Sequence, residues 1–76
     1  MEKQVVHSFK RNENEEVKIS VGNYKDRDYV DVRVFFFDAA TGEPKPTKKG
    51  VTLNCALVGE LIEGLRRAEQ AVQVNS

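Results

Sequence analysis

The chain has 76 residues, and its 12 lysines and arginines are matched by 12 aspartates and glutamates, so the formal net charge is zero. That balance excludes the indiscriminate nucleic-acid affinity of a strongly basic protein, and the length allows one domain that buries only about 60% of the surface its unfolded form exposes. With Cys55 and His7 as the sole cysteine and histidine, neither an intrachain disulfide nor a structural zinc site can be built, which leaves oligomerisation as the support so small a core needs.

Residues 1–10 contain no apolar run of the signal-peptide kind, and no stretch approaches the length of a membrane span. A cytoplasmic setting is expected, nucleoid-associated if the source is bacterial. Gln4 to Phe9 reads as a short first strand, followed by a polar loop from Arg11 to Glu16. From Val17 the alternation is clean. Val17, Ile19 and Val21 point one way and Lys18 and Ser20 the other, the period-two pattern of a half-buried strand.

Gly22 and Asn23 loosen the end of that strand, and the charged run Lys25 to Asp28 reads as a hairpin tip. Tyr29 to Phe37 is the longest predicted strand, rich in β-branched and aromatic residues. Val30, Val32, Val34 and Phe36 form one face, and Tyr29, Asp31, Arg33, Phe35 and Phe37 form a mixed face unusual for plain solvent exposure. Pro44 and Pro46, which cannot donate to a central ladder, mark Asp38 to Lys49 as a loop, and Val51 to Leu53 as a short last strand. Asn54 is a suitable N-cap for a helix from Cys55 to about Val74.

On that helix Leu57, Leu61, Leu65, Ala68 and Val72 form an apolar stripe flanked by Val58 and Ile62. The stripe is too broad for one small sheet to use, and Gly59 and Gly64 suit a close helix approach. A homodimer contact through Leu57, Leu61, Gly64, Leu65 and Ala68 is expected. No repeat or linker suggests a second domain, so residues 1–16 are read as an N-terminal strand and polar loop, and 17–76 as the sheet and helix of the same single domain.

Catalysis finds no support in these residues. His7 has no nucleophile and acid arranged with it, Cys55 has no evident base, and the carboxylates are interleaved with lysine and arginine. The glycines are dispersed singly, so no phosphate-cradling loop is present. No enzyme activity, metal or cofactor is therefore expected.

What remains is a constellation of cations and aromatics on strands. Single-stranded nucleic acid is held when Lys and Arg track phosphates while aromatic faces stack on unpaired bases, at about 1–3 kcal/mol per base. Tyr24 and Lys25 lie at one hairpin, Arg33 and the Phe35 to Phe37 run lie mid-sheet, and Lys45, Lys48 and Lys49 precede the last strand. From Val17 to Asn54 there are seven basic and five acidic residues.

Two segments carry a family resemblance. Tyr24-Lys25, followed by Asp28-Tyr29-Val30-Asp31-Val32-Arg33, resembles the aromatic-Lys-Gly-Lys hairpin and Ile-Asp-Ile-Arg strand of the positive cofactor four transcriptional coactivator family. Lys45-Pro46-Thr47-Lys48-Lys49-Gly50-Val51-Thr52-Leu53-Asn54 is similar to its Lys-Pro-Gly-Arg-Lys-Gly-Ile-Ser-Leu-Asn. Asp26 and Thr47 stand where that family has glycines, and Phe36 where it usually has tryptophan.

The resemblance spans about Val17 to Val72. It implies an α+β fold, a four-stranded curved antiparallel sheet followed by one C-terminal helix, paired as a homodimer that grips unpaired DNA. Carried over by position, Tyr24 and Phe36 would stack on or flank bases, and Lys25, Arg27, Arg33, Lys45, Lys48 and Lys49 would contact phosphates. The function implied is largely sequence-independent binding of single-stranded DNA, with a role as transcriptional coactivator or regulator. The competing expectation is a dimeric protein-interaction adaptor contacting the transcription machinery.

Overall fold

A computed structural model describes residues 3–75. Four strands, β1 (Lys3–Lys10), β2 (Glu15–Tyr24), β3 (Arg27–Phe37) and β4 (Pro44–Asn54), form one open antiparallel sheet in sequence order. A single 3₁₀ turn, Cys55–Leu57, leads into the helix α1 (Val58–Asn75). No helix among the described residues is long and apolar enough to cross a membrane.

The β2–β3 hairpin is tighter than the sequence suggests. Its loop is only Lys25 and Asp26, because Tyr24 pairs with Arg27 and Asn23 with Asp28. Both loop residues have positive φ, 52° and 63°, the pair of left-handed conformations that lets a two-residue turn follow the twist of its strands. Arg27 and Asp28 therefore belong to β3.

The last strand departs most from expectation. The segment read as a loop up to Lys49 is strand from Pro44 onwards, and the true connection is residues 38–43. Pro44 pairs with Phe37 and Pro46 with Phe35. Because β4 is an edge strand, prolines are tolerated where their missing N–H faces away from the sheet. The connection is held by Asp38, whose carboxylate accepts from the Ala40 N–H at 2.9 Å and whose own N–H donates to the Glu43 carbonyl. Asn54 caps the helix as expected, its side chain accepting from the Ala56 N–H at 2.9 Å, although the first turn is 3₁₀.

β4 carries a large irregularity. Arg33 pairs with Gly50 and Phe35 with Pro46, so Thr47, Lys48 and Lys49 together oppose Val34. The Thr47 hydroxyl closes this bulge by donating to the Val34 carbonyl at 2.7 Å while accepting from the Lys49 N–H at 3.1 Å. At its far side β4 presses against β3. A Cβ on Gly50 would sit 2.6 Å from the Val32 carbonyl oxygen.

Alternation sorts the sheet into two faces. One is aliphatic, with Val17, Ile19 and Val21 beside Val30, Val32 and Val34, and these beside Val51 and Leu53. None of these side chains is buried: Val21 and Val51 are exposed and the others half-buried. The helix joins the sheet through the Cys55–Leu57 turn against β3, and beyond that turn Ile62, Leu65 and Val72 are exposed. Among the described residues no hydrophobic side chain is buried. The radius of gyration, 14.6 Å, exceeds the roughly 11 Å of a compact domain of this length.

Two substitutions test this backbone. Gly50→Ala is expected to lower unfolding stability by about 1–3 kcal/mol, the usual cost of forcing atoms into a closed contact. Asp26→Gly, which relieves a left-handed residue, is expected to raise it by about 1 kcal/mol. Chemical denaturation of both variants reads the two shifts, and a Gly50→Ala protein as stable as the parent would contradict the close approach.

Candidate nucleic-acid interface

The second face of the sheet is polar and aromatic. Across β2 and β3 its rows are Tyr24 with Arg27, Gly22 with Tyr29, Ser20 with Asp31, Lys18 with Arg33 and Glu16 with Phe35. β4 extends these rows with Asn54, Thr52, Gly50 and Pro46. Its centre is the best-covered part of the chain: Asp31 is 2% exposed and Ser20 4%.

Asp31 is buried as an ion because its oxygens are answered. Arg33 forks onto it, Nε to Oδ2 at 3.0 Å and Nη2 to Oδ1 at 2.9 Å. The Thr52 hydroxyl donates to Oδ1 at 2.6 Å, and the Lys3 ammonium stands 3.8 Å from Oδ2. Burial by itself would raise the Asp31 pKa, but the hydrogen bonds from Arg33 and Thr52 and the charges of Lys3 and Arg33 outweigh it and hold the carboxyl below its ordinary value of 3.8. The third arm of Arg33, Nη1, donates to the Thr47 carbonyl at 2.9 Å, which ties the same guanidinium to the bulge.

At the hairpin end Tyr24 is 57% exposed with the Lys25 ammonium 5.3 Å from its ring centroid. Lys3, Tyr24, Arg27, Tyr29 and Asn54 line an open cleft there of about 640 Å³. Farther along the same face the Lys18 ammonium lies 5.6 Å from the Phe35 centroid and 3.5 Å from the Glu16 carboxylate.

The sequence-predicted residues thus divide. Tyr24, Lys25 and Arg27 cluster at the hairpin end, and Arg33 lies at the centre of the polar face with three arms engaged inside the fold. Lys48 and Lys49 are exposed on the bulge at the β4 edge. Lys49 shares with Arg11 the rim of a shallow groove of about 400 Å³ floored by Val17, Val32, Val34 and Val51, so it borders the aliphatic face.

Phe36 and Lys45 pair with each other on that aliphatic face, about 30 Å from the hairpin at the rise of an extended strand. The irregularity lies in β4, and the β2–β3 register runs unbroken, so it does not bring Phe36 round to Arg33. Phe36 instead borders a cleft lined by Asn12, Glu13, Asn14 and Glu15. Lys45 donates to Asp38 at 2.8 Å, and this bond, with the Ala40 N–H, holds the Asp38 carboxyl below the usual range.

Leu57 lies exposed in the turn before the helix, Gly64, Leu65 and Ala68 lie exposed on the helix, and Leu61 is half-buried. Lys18 and Lys3 are polar-face residues that sequence reasoning did not single out, and Tyr29 and Phe35 were placed on the mixed face without an assigned role. A two-residue hairpin tip would have aligned Lys18 with Arg33 and Glu16 with Phe35, but the charged run disguised where the turn lies.

Comparison with known proteins agrees with this architecture. The family model described as Transcriptional Coactivator p15 (PC4) matches residues 11–64. The RNA polymerase II transcriptional coactivator SUB1 of Saccharomyces cerevisiae is 30% identical over 56 residues, 74% of this chain and 19% of that protein. The chain therefore spans about a fifth of the yeast protein's length. A PC4 homologue from Burkholderia pseudomallei, in its tetragonal crystal form, superposes with a TM-score of 0.81 at 28% identity, covering 90% of this chain and 98% of that one. The bacteriophage T5 homologue of PC4, implicated in recombination-dependent DNA replication, shares the fold with a TM-score of 0.67 at 20% identity over 96% of this chain and 81% of that one.

The Asp31 network has a pH signature. With a folded-state pKa below 3.8, the stability contributed by Asp31 is complete well above that value and is lost as pH falls through the lowered pKa. Asp31→Asn is expected to lower stability at neutral pH by about 2–3 kcal/mol, less than a fully buried pair because Arg33 is partly exposed. It is also expected to flatten the loss of stability below about pH 4. Denaturation midpoints across an acid series measure both, and parallel curves for parent and variant would refute the assignment.

Proposed function

The chain belongs to the family of the transcriptional coactivator PC4, and from that premise we propose that it binds single-stranded DNA, largely irrespective of sequence, on the polar face of its sheet. The observation that carries this reading is the placement on one face of Tyr24, Arg27, Tyr29, Arg33, Lys18 and Phe35, in adjoining rows of one register. Aromatic rings alternating with long cations suit a strand whose bases are unpaired. A duplex hides those bases, and α1 is no basic recognition helix, since Arg66 and Arg67 are balanced by Glu60, Glu63 and Glu69.

In this reading Tyr24 stacks on or flanks a base, and Lys25, Arg27 and Lys48 meet phosphates from the hairpin and the bulge. Lys49 and Lys45 extend the cationic rim toward the other face. Arg33 has a mixed part: its fork to Asp31 and its bond to Thr47 orient the bulge, and what remains of the guanidinium edge is available to a phosphate. Phosphate contacts position the strand and read no bases. The coactivator or regulator role, in a cytoplasmic or nucleoid setting, follows the yeast and bacterial relatives.

The same proposal includes a homodimer. The aliphatic face of the sheet and the stripe through Leu57, Leu61 and Leu65 are at most half-buried in one chain, with Val21, Val51, Leu57 and Leu65 exposed, and each aliphatic side chain gains about 1.5–3 kcal/mol on full burial. A second copy supplies what the chain's own helix does not reach. Light scattering is expected to give twice the 8.6 kDa chain mass at micromolar concentration, and Leu61→Glu to dissociate or unfold the protein. A stably folded wild-type monomer would refute the pairing.

For DNA, fluorescence anisotropy at matched salt is expected to show tighter binding of an oligonucleotide than of the corresponding duplex, with a log–log salt slope near −0.7 per phosphate neutralised. Reversal of Lys25 with Arg27, or of Lys48 with Lys49, to glutamate is expected to weaken binding at least about tenfold. The helix control, Arg66 with Arg67 reversed, loses only the exposed Arg67–Glu63 pair and is expected to bind normally. Equal losses in sheet and helix variants, all folded and dimeric, would overturn the sheet assignment.

A further inference from the structure

Two aromatic residues sit side by side in β3 and point to opposite faces of the sheet. Phe36 faces away from Arg33, is 41% exposed, and borders Glu13 and Glu15 in the cleft at the β1–β2 connection. Glu15 is partly answered by Arg11 at 3.6 Å and by the Asn12 amide at 2.8 Å, but among the described residues no cation pairs with Glu13. A phosphate following a base onto Phe36 would therefore meet carboxylate.

Phe35 differs in each respect. It lies on the face of Arg33, Tyr29 and Tyr24, half-buried, one row from the Lys18–Arg33 pair. The ammonium of Lys18 stands over its ring at 5.6 Å, a cation–π contact in which a single flexible side chain, 19% exposed, occupies the ring face. The adjacent carboxylate, Glu16, is already paired with the same Lys18 at 3.5 Å. From Tyr29 to Phe35 is about 20 Å along the strand, with Arg33 and Lys18 between them.

We propose that Phe35, with Lys18 as its displaceable cover, is the base-stacking platform of the polar face, in the place that the family resemblance would give to Phe36. An incoming base displaces the Lys18 ammonium from the ring and stacks on Phe35, and the displaced ammonium meets the phosphate of that nucleotide. This rests on the single-strand reading above and goes beyond it by assigning the stacking contact to residues outside the predicted set.

The chain contains no tryptophan, so Phe35→Trp and Phe36→Trp each introduce a single fluorophore at nearly unchanged shape. Titrated with oligothymidylate, the Phe35→Trp protein is expected to lose tryptophan emission in step with binding followed independently by anisotropy of a labelled oligonucleotide, and the Phe36→Trp protein to keep its emission. Quenching of the second and not the first, or of neither while anisotropy reports binding, overturns the proposal.

Absence of binding by the unaltered protein would instead overturn the single-strand reading, and this one with it. Phe35→Leu is expected to weaken binding about 5- to 150-fold, the worth of one stacked base, and that loss is expected to vanish on an abasic oligonucleotide. A loss that persists without bases marks Phe35 as structural and rejects the platform. Lys18→Gln is expected to make the salt slope shallower by about 0.7, and an unchanged slope rejects the part given to Lys18.

Discussion

A carboxylate with 2% of its surface exposed organises this sheet. Leaving Asp31 unanswered in that position would cost several kcal/mol, and the groups that answer it come from three strands: Lys3 from β1, Arg33 from β3 itself and Thr52 from β4. Because Arg33 is drawn to Asp31 by two arms, its third is aimed at the Thr47 carbonyl, and the hydroxyl of Thr47 in turn secures the bulge. Register at the β3–β4 ladder, the posture of Arg33 and the shape of the Thr47–Lys49 segment are consequences of one buried charge. The glycine at position 50 belongs to the same arrangement, since the row of Arg33 leaves no room there for a side chain.

The two faces divide the chain's physical tasks. The centre of the polar face satisfies itself internally through the Asp31 network, and the face presents rings and cations at its two ends. The aliphatic face does the reverse, gathering valines none of which is buried. A protein of average composition would fold its helix onto such a face, but the short Cys55–Leu57 turn directs α1 elsewhere. Within one chain the sheet is held by hydrogen-bonded ladders and the Asp31 network, with no hydrophobic side chain buried among the described residues.

Much of this was legible from the residues. Strict alternation from Val17 to Val21 and from Tyr29 to Phe37 specified two strands and their faces, and Asn54 announced the helix. The Pro44 and Pro46 pair hid half of β4, since proline argues against a strand unless the strand is known to be an edge, which is a property of topology and not of local sequence. The hairpin tip was misplaced by two residues because neither Lys25 nor Asp26 is the glycine or asparagine that normally marks a left-handed turn.

The candidate site was legible only in part for the same reason. Residues near the recognisable segments, such as Tyr24 and Arg27, fall on one face, but which partners they meet depends on register. Lys18 and Phe35 come together across the ladder from positions 17 apart, and Phe36 and Lys45 are carried to the opposite side. The engagement of Arg33 by Asp31 was also invisible: the spacing i, i+2 places them on one face, but only β4 and its bulge close the network.

Both edges of the sheet are interrupted. On β1 an extra residue, Val6, breaks the ladder between Val5 and His7, and on β4 two prolines and the three-residue bulge deprive the outer edge of a continuous row of donors and acceptors. A free edge is the template on which strands of other chains add one after another. With neither edge able to propagate, sheets of this kind cannot readily grow into open-ended ribbons, and face-to-face contact is the route left to them. Such contact about a twofold axis saturates at a closed pair, so the prolines that obscure the last strand in the sequence also favour a finite assembly over fibre growth.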